Sequence, residues 1–389
     1  MRVRRFLLPG LLLLALASVR VTAAYVVFGP LALAWFLSRH DPPLRGRFRS
    51  PLVALAALFG LLVLCSALFS LDPVRSAKAV PGLSILLALP IAIDTLRRPA
   101  AARLLLAAVA VGGTAMAIVG LWQYARGAGA LHDRIRGGTS HYMTFSAITM
   151  TAGCVLAAFA FEDRGRRRWA AALLSLVPFT AMVLTLTRSA YVGTLAAFLF
   201  YLGVRRPRGL LLAVPLAVLL VAGSPPDVRG RFLSIADLRD ETNRDRIAMA
   251  RAGSRMIAER PVFGLGPEMV KPYYTLYRDA DAPRWRVPHL HNNVLQIAAA
   301  NGVFAAAAYI AILALFFLRT VRGLRAAGRH DAAPLLAGPF LALTALTVAG
   351  LFEYNFGDTE VHLATLLLMA VPFSPAARAA AGEYAGAGG

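Results

Sequence analysis

The stretch that decides the fold is Trp169–Val204, WAAALLSLVPFTAMVLTLTRSAYVGTLAAFLFYLGV, whose one charged residue is Arg188. A bilayer core needs about 20 apolar residues per helix, so this run is too long for one span and about right for two. Its only break is Thr185-Leu186-Thr187-Arg188-Ser189-Ala190, which reads as the turn of a helical hairpin. That hairpin sets Arg188 at a membrane interface. An arginine there either snorkels to water or holds an anionic partner, and the planar fork of a guanidinium suits phosphate.

Apolar runs of this kind recur along the whole chain, at 6–19, 21–37, 51–69, 79–95, 103–124, 142–161, 169–187, 189–204, 209–224, 293–318, 334–352 and 359–373. By length they make about twelve spans, so the fold class is all-α, a polytopic transmembrane helical bundle. Composition agrees. The chain is 58% hydrophobic and 16% charged, where a soluble domain is nearer a quarter charged. The formal net charge of +21 does not indicate nucleic acid, because the basic residues form short clusters between apolar runs rather than one amphipathic face. Cys65 and Cys154 both lie in apolar runs, which argues against a disulfide framework or a zinc site.

Charge bias orients the bundle. Arg2/Arg4/Arg5, Arg39/Arg45/Arg47/Arg49, Arg97/Arg98/Arg103, Arg164/Arg166/Arg167/Arg168, Arg205/Arg206/Arg208 and Arg319/Arg322/Arg325/Arg329 all fall on one side of these spans. The positive-inside rule makes that side, and both termini, cytoplasmic. The N-terminus also has the pattern of a signal peptide, with Phe6–Ala17 apolar and Val21-Thr22-Ala23-Ala24 small. Cleavage after Ala24 would leave Tyr25–Leu37 too short to span, so an uncleaved signal anchor is expected. Residues 1–224 then carry spans 1–9, and 225–290 form one large helical periplasmic loop. Residues 291–373 carry spans 10–12, and 374–389 a disordered cytoplasmic tail. The long loop is outside despite its arginines, since long loops translocate largely regardless of charge.

Within that loop, Thr242-Asn243-Arg244-Asp245 reads as a helix start with Thr242 as N-cap, and Pro261 stops the helix after about Arg260. Arg244, Arg251 and Arg255 share one face, while Ile247, Ala250, Ser254 and Ile257 line another. Arg246 lies beside that second face and is expected to point inwards over the membrane-embedded part. Tyr273, Tyr274, Tyr277 and Trp285 read either as an interfacial belt or as stacking platforms for sugar rings. The loop re-enters at His289-Leu290-His291-Asn292-Asn293, and histidine is the side chain able to exchange a proton near neutral pH. Two histidines at i and i+2 do not share a helix face, so no metal site is expected. Glu353, Asp358 and Glu360 read as ion-pair partners for Arg188 or the loop arginines rather than as a catalytic carboxylate pair.

Three motifs together resemble those of the O-antigen ligase and O-antigen polymerase superfamily of bacterial membrane glycosyltransferases. His291-Asn292, nine residues and Gly302-Val303-Phe304-Ala305 is similar to a His-Asn-x9-Gly-x-x-Gly signature, with Ala305 in place of the last glycine. Thr187-Arg188-Ser189 followed by Gly193 resembles the family's arginine motif. Arg246 through Pro261-Val262-Phe263-Gly264-Leu265-Gly266 resembles its loop segment, with Ala250 where a tryptophan is usual.

The resemblance implies a GT-C-like enzyme of the bacterial inner membrane with its active site facing the periplasm. Its donor would be an undecaprenyl-diphosphate-linked glycan and its acceptor lipid A–core or another glycan, with no cofactor. Arg188 and Arg246 would bind the diphosphate and His291 would act on the acceptor hydroxyl, with His289, Asn292 and Arg244 in support. The chemistry fits: two arginines can stabilise a departing diphosphate, and a histidine can take the acceptor proton. A ligase is the leading expectation. A polymerase and a protein O-oligosaccharyltransferase share these residues. A transporter or flippase would instead place functional charges or broken helices at mid-membrane.

Overall fold

The computed structural model describes residues 3–38, 50–327 and 332–380. Arg2, Arg39, Arg45, Arg47, Arg49 and Arg329 of the basic clusters, and residues 381–389 of the expected tail, lie outside them. The described residues contain no strand, only an isolated bridge between Ala130 and Asp133. Two short apolar helices, α1 (Leu7–Ala17) and α2 (Val21–Leu37), precede α3 (Pro51–Leu68). A short α4 (Pro73–Ala77), a 3-10 run Val80–Leu87 and α5 (Ala88–Thr95) follow, then α6 (Pro99–Ala125), α7 (Tyr142–Glu162), α8 (Arg166–Leu184), α9 (Arg188–Arg205) and α10 (Leu210–Ala222). The segment 225–290 holds α11 (Pro226–Leu233), α12 (Glu241–Glu259) and α13 (Val270–Tyr277). The last helices are α14 (Asn293–Ala326), α15 (Ala332–Ala349), α16 (Thr359–Ala370) and α17 (Pro375–Ala380).

Seven of the described helical segments are long and apolar enough to cross a membrane: α3, Pro73–Thr95, α6, α7, α8, α14 and α15. Three shorter apolar ones are α1, α2 and Thr359–Phe373. The chain is thus a polytopic helical membrane protein. The sequence count of about twelve adds α9, whose terminal Arg188 and Arg205 lower its mean hydropathy, and the shorter α10.

α7 and α15 form the centre, each with 89% of its apolar window buried inside the protein. α7 packs on α8 and α15, and α15 packs on α9. The α9–α15 contact requires glycine at 193, because an added Cβ would lie 2.4 Å from the Ala345 carbonyl oxygen. The two ends of the bundle differ in chemistry. At one end Arg205 bonds Glu162 and the Leu324 carbonyl, Arg103 pairs with Asp163, and Arg319 bonds the Pro372 carbonyl. The segment 225–290 covers the other.

That segment is locked to the bundle at a break in α14. Gly302 sits inside the helix with φ +85°, so the Val303 N–H leaves the helical ladder and donates to the Pro261 carbonyl at 2.8 Å. The Ala299 and Ala300 carbonyls accept instead from Leu265 and Gly266, at 2.9 and 2.8 Å. Chains this close leave no room for a side chain: a Cβ on Gly302 would lie 2.0 Å from the Val262 oxygen. Ala305, by contrast, is fully buried in the core, where a methyl group fits. Gly302→Ala combines a clash with a disfavoured backbone region, and each alone is worth about 1–3 kcal/mol. The expected result is a lower melting temperature in detergent and faster proteolysis within 225–290; an unchanged melt would mean this junction does not hold the segment.

Several boundaries differ from those read in the sequence. The N-cap of α12 is Asp240, not Thr242; its carboxylate accepts from the Thr242 and Asn243 N–H groups. The buried face of α12 is Asp245, Ala248, Met249, Ala252, Gly253 and Met256, while Ile247, Ala250 and Ser254 are exposed. Close packing explains this, since a Cβ on Gly253 would sit 2.8 Å from Leu290 and Leu295. After its break at Gly302, α14 continues to Ala326 and takes Arg319, Arg322 and Arg325 into the helix rather than into a connection. Pro375–Ala380, expected to be disordered, forms a helix tied by the Ala376 N–H to the Leu96 carbonyl, where small buried alanines fit.

Candidate active site

The start of α14 fixes the histidine corner. Asn292 is its N-cap, accepting from the Leu295 N–H at 2.9 Å, and its amide donates to the Leu351 carbonyl at 3.0 Å. The next residue also ties down the chain after α15, with the Asn293 N–H on the Gly350 carbonyl at 2.7 Å. His291 itself has φ +50°; the other non-glycine residues with positive φ among those described are Leu186 and Glu268. Such a conformation in a bulky side chain persists only when the surroundings over-determine it. Here the surroundings are Asn292, Asn293 and a carboxylate.

That carboxylate is Glu353, 6% exposed. His291 Nδ1–H donates to Glu353 Oε2 at 2.8 Å, and His289 Nε2 lies 3.6 Å from Oε1. Burial would push the Glu353 carboxyl up, but the His291 hydrogen bond and the charges of His291, His289 and Arg246 outweigh it and hold it below the usual range. An imidazole whose Nδ1–H is committed to a carboxylate carries its free lone pair on Nε2. His289 differs: burial pushes it down to about 4 against the opposing pull of Glu353. Glu353 therefore pairs with the histidines, not with Arg188 or a loop arginine as the sequence reading expected. Asp358 also pairs with no arginine among the described residues; it accepts from Thr144 Oγ1 at 2.7 Å, and burial pushes it up to about 6.

Arg188, first residue of α9, is 4% exposed. It donates to the Ser234 carbonyl at 2.8 Å and to Asp240 at 2.9 Å, so α9, the turn after α11 and the cap of α12 meet on one guanidinium. Burial would raise Asp240, but the hydrogen bond and charge of Arg188 hold it below the usual range. Arg246, half-buried, shares a cavity of about 50 Å³ with Arg188, Asn243 and Phe352. Phe352 precedes Glu353, so this pocket backs on to the histidine group. Arg246 makes no hydrogen bond or ion pair among the described residues; burial lowers its pKa, the Glu353 charge opposes this, and the Arg188 charge lowers it again. Arg244 is exposed, about 200° round the helix from Arg246.

Two arginines that the sequence did not single out join this group. Arg134 lies over the Tyr142 ring at 4.3 Å, and burial, then the charge of Arg188, lowers its pKa. Arg231 is lowered by burial and by both Arg188 and Arg134. Arg134 had a usable signal, since it is a basic residue in a connection on the side expected to be poor in arginine. Arg231 had none among the many arginines of the long loop.

His289, His291 and Glu353 bring ligand atoms within 4.8 Å of one another, so the trio could hold a metal ion. Sequence spacing weighed the histidines alone and missed Glu353. As placed, His291 and Glu353 already satisfy each other.

Asp358 supplies a pH test. Its folded pKa is raised, so its stabilising contribution is complete below about 3.8 and lost as pH rises through about 6. Asp358→Asn should therefore raise the melting temperature at pH 8 and change it little near pH 4. Equal effects at both pH values would contradict the burial of an ionising carboxyl.

Fold and site together define a polytopic membrane protein with one buried and three half-buried arginines beside a carboxylate-oriented histidine. Residues 170–310 match the family described as O-Antigen ligase, which is what this part of the chain is similar to. The matched region includes Arg188, Arg231, Arg246, His289 and His291 and leaves out Arg134 and Glu353. No curated protein matches the chain.

Proposed function

We propose that the chain is an O-antigen ligase-like glycosyltransferase, moving a glycan from undecaprenyl diphosphate to a lipid A–core hydroxyl at the periplasmic face of the inner membrane. The observation that carries this reading is the His291–Glu353 pair, with Nε2 free, next to the Arg188–Arg246 pocket. The acceptor oxygen attacks the anomeric carbon as the bond to the diphosphate oxygen breaks. His291 Nε2 takes the hydroxyl proton, and Glu353 stabilises the imidazolium that forms. Negative charge growing on the diphosphate meets Arg246 and Arg188, with Arg134 and Arg231 adding to the field. Attack opposite the leaving group inverts the anomeric centre. The supporting roles of the neighbours are positional: Asn292 holds the corner, and His289 packs on His291 with ring centroids 4.3 Å apart.

The test is reconstitution of the chain in vesicles with a polyprenyl-diphosphate glycan and alternative acceptors, following products by gel mobility. Transfer to lipid A–core is expected. Transfer only to a second carrier-linked glycan would make the chain a polymerase, and glycan movement across the bilayer without bond formation would make it a transporter. Activity should be unchanged in a chelator; inhibition reversed by a divalent ion would assign the His289–His291–Glu353 trio to metal binding instead.

A further inference from the structure

The transfer step uses only part of what His289, His291 and Glu353 offer. His291 Nδ1 and Glu353 Oε2 are 2.8 Å apart, and His289 Nε2 lies 3.6 Å from Oε1. Each residue has a ligand atom within 4.8 Å of the other two. Zinc–ligand bonds of about 2.0–2.2 Å set neighbouring donors of a tetrahedral site about 3.3–3.6 Å apart. Small side-chain shifts would therefore close the trio around one ion. The i and i+2 spacing of the histidines counts against a shared face only in a helix, and residues 289–291 precede α14. Outside a helix that spacing can bring two side chains to one side, and here the ring centroids are 4.3 Å apart.

The donor set selects the ion. Two imidazoles and a carboxylate are a zinc set, with water or another molecule in the fourth position. Magnesium and calcium need larger shells of oxygen ligands, which this trio does not supply. Glu353 and His291 are 8% and 11% exposed in their side chains and His289 24%, so an ion enters past His289. His289 also lines a cavity of about 330 Å³, where the carboxylates of Glu268 and Asp358 outnumber the ammonium of Lys271. That balance favours a cation.

An ion at this place has a definite effect on the base. With His291 Nδ1–H on Glu353, the lone pair of the ring sits on Nε2. An ion bound at Nδ1 needs the lone pair there, so the one proton of the neutral ring moves to Nε2 by way of solvent. One N–H bond breaks and one forms, and the ring gains no charge. His289 changes in the same way at Nε2 and gives up the long 3.4 Å bond that its Nδ1 accepts from the His291 N–H. A metal-bound His291 thus presents Nε2–H to the acceptor and has no lone pair to take a proton. Glu353, as a ligand, no longer stabilises an imidazolium.

We propose that His289, His291 and Glu353 form an inhibitory zinc site, in which one bound ion fixes His291 as the Nε2–H tautomer and stops transfer. The inhibition rests on the transfer reading, whereas the site itself is measured without transfer.

The experiment uses the full chain, free of any histidine tag, in vesicles with donor and acceptor, titrated with zinc chloride. Cobalt(II) is the optical probe. One cobalt per chain should give the intense visible bands of a four-coordinate ion, and one equivalent of zinc should bleach them. Transfer should fall with the same occupancy and return on adding a chelator, and magnesium should not inhibit. His289→Gln should raise the half-saturating and half-inhibiting zinc concentrations at least about a hundredfold, because losing even an outer-shell partner weakens binding about 10–100-fold. Inhibition is read against that variant's own rate without zinc. His289→Cys supplies a zinc ligand again and should recover both binding and inhibition, which separates a lost ligand from a lost fold. Absence of a stoichiometric ion, equal zinc binding by His289→Gln, full transfer at full occupancy, or stimulation by zinc would each overturn the proposal. One zinc held through His289 in a chain that transfers nothing, with or without the ion, would sink the transfer reading and leave the site standing.

Discussion

Arg246→Ala is expected to lower glycan transfer by about 10²–10³-fold, the range for removing one preorganised group that stabilises developing negative charge. Arg246 is the best placed for this role because its guanidinium is half-buried and makes no hydrogen bond or ion pair among the described residues. Arg188, beside it, is already committed to Ser234 and Asp240. That commitment suits a residue that holds the pocket in shape, while Arg246 keeps its fork for an incoming diphosphate. Arg246→Lys should recover only part of the loss, because an ammonium is a point charge without the bidentate geometry. Initial rates at saturating and limiting donor would show a fall in kcat and weaker donor use together. A transfer rate within about threefold of the unsubstituted protein would remove Arg246 from the reaction, since the loss of such a group costs far more.

The second large effect is at His291. His291→Ala should reduce transfer by about 10²–10⁴-fold, the usual contribution of a positioned general base. The left-handed backbone at this position also raises the question of misfolding, so the folded state needs its own check by melting temperature. Glu353→Gln is the finer probe. It keeps an oxygen that can accept from Nδ1 but removes the charge that favours the imidazolium, so kcat should fall while the acceptor KM holds. A change in acceptor KM alone would make Glu353 a binding residue.

Much of this architecture was legible because it is written in local patterns. The uncharged run around Arg188 shows a hairpin with an arginine at its turn, and Arg188 does open α9. The Pro261 stop and the glycines that follow mark the end of α12, and the structure adds why they are needed: Gly264 and Gly302 let two chains meet where no Cβ fits. The rest depended on contacts between distant segments. Glu353 reaches His291 only because Asn292 and Asn293 bind the chain at Leu351 and Gly350, a pairing that no periodicity encodes. Asp240 caps α12 in preference to Thr242 while also holding Arg188, a tertiary partner invisible from spacing. The buried face of α12 follows small residues and methionines rather than the isoleucines, because it packs under Leu290 and Leu295. Arg134 reaches the arginine group from the connection before α7, so the group could not be assembled from one stretch of chain.

In the proposed reaction one site divides two tasks, with Arg246 holding the diphosphate and His291 taking the acceptor proton. The most direct test measures donor binding and transfer rate in the same vesicles for Arg246→Ala and His291→Ala. His291→Ala is expected to bind undecaprenyl-diphosphate glycan as tightly as the unsubstituted protein yet transfer at least about a hundredfold more slowly, while Arg246→Ala loses both. Full transfer by His291→Ala, or undiminished donor binding by Arg246→Ala, would contradict it.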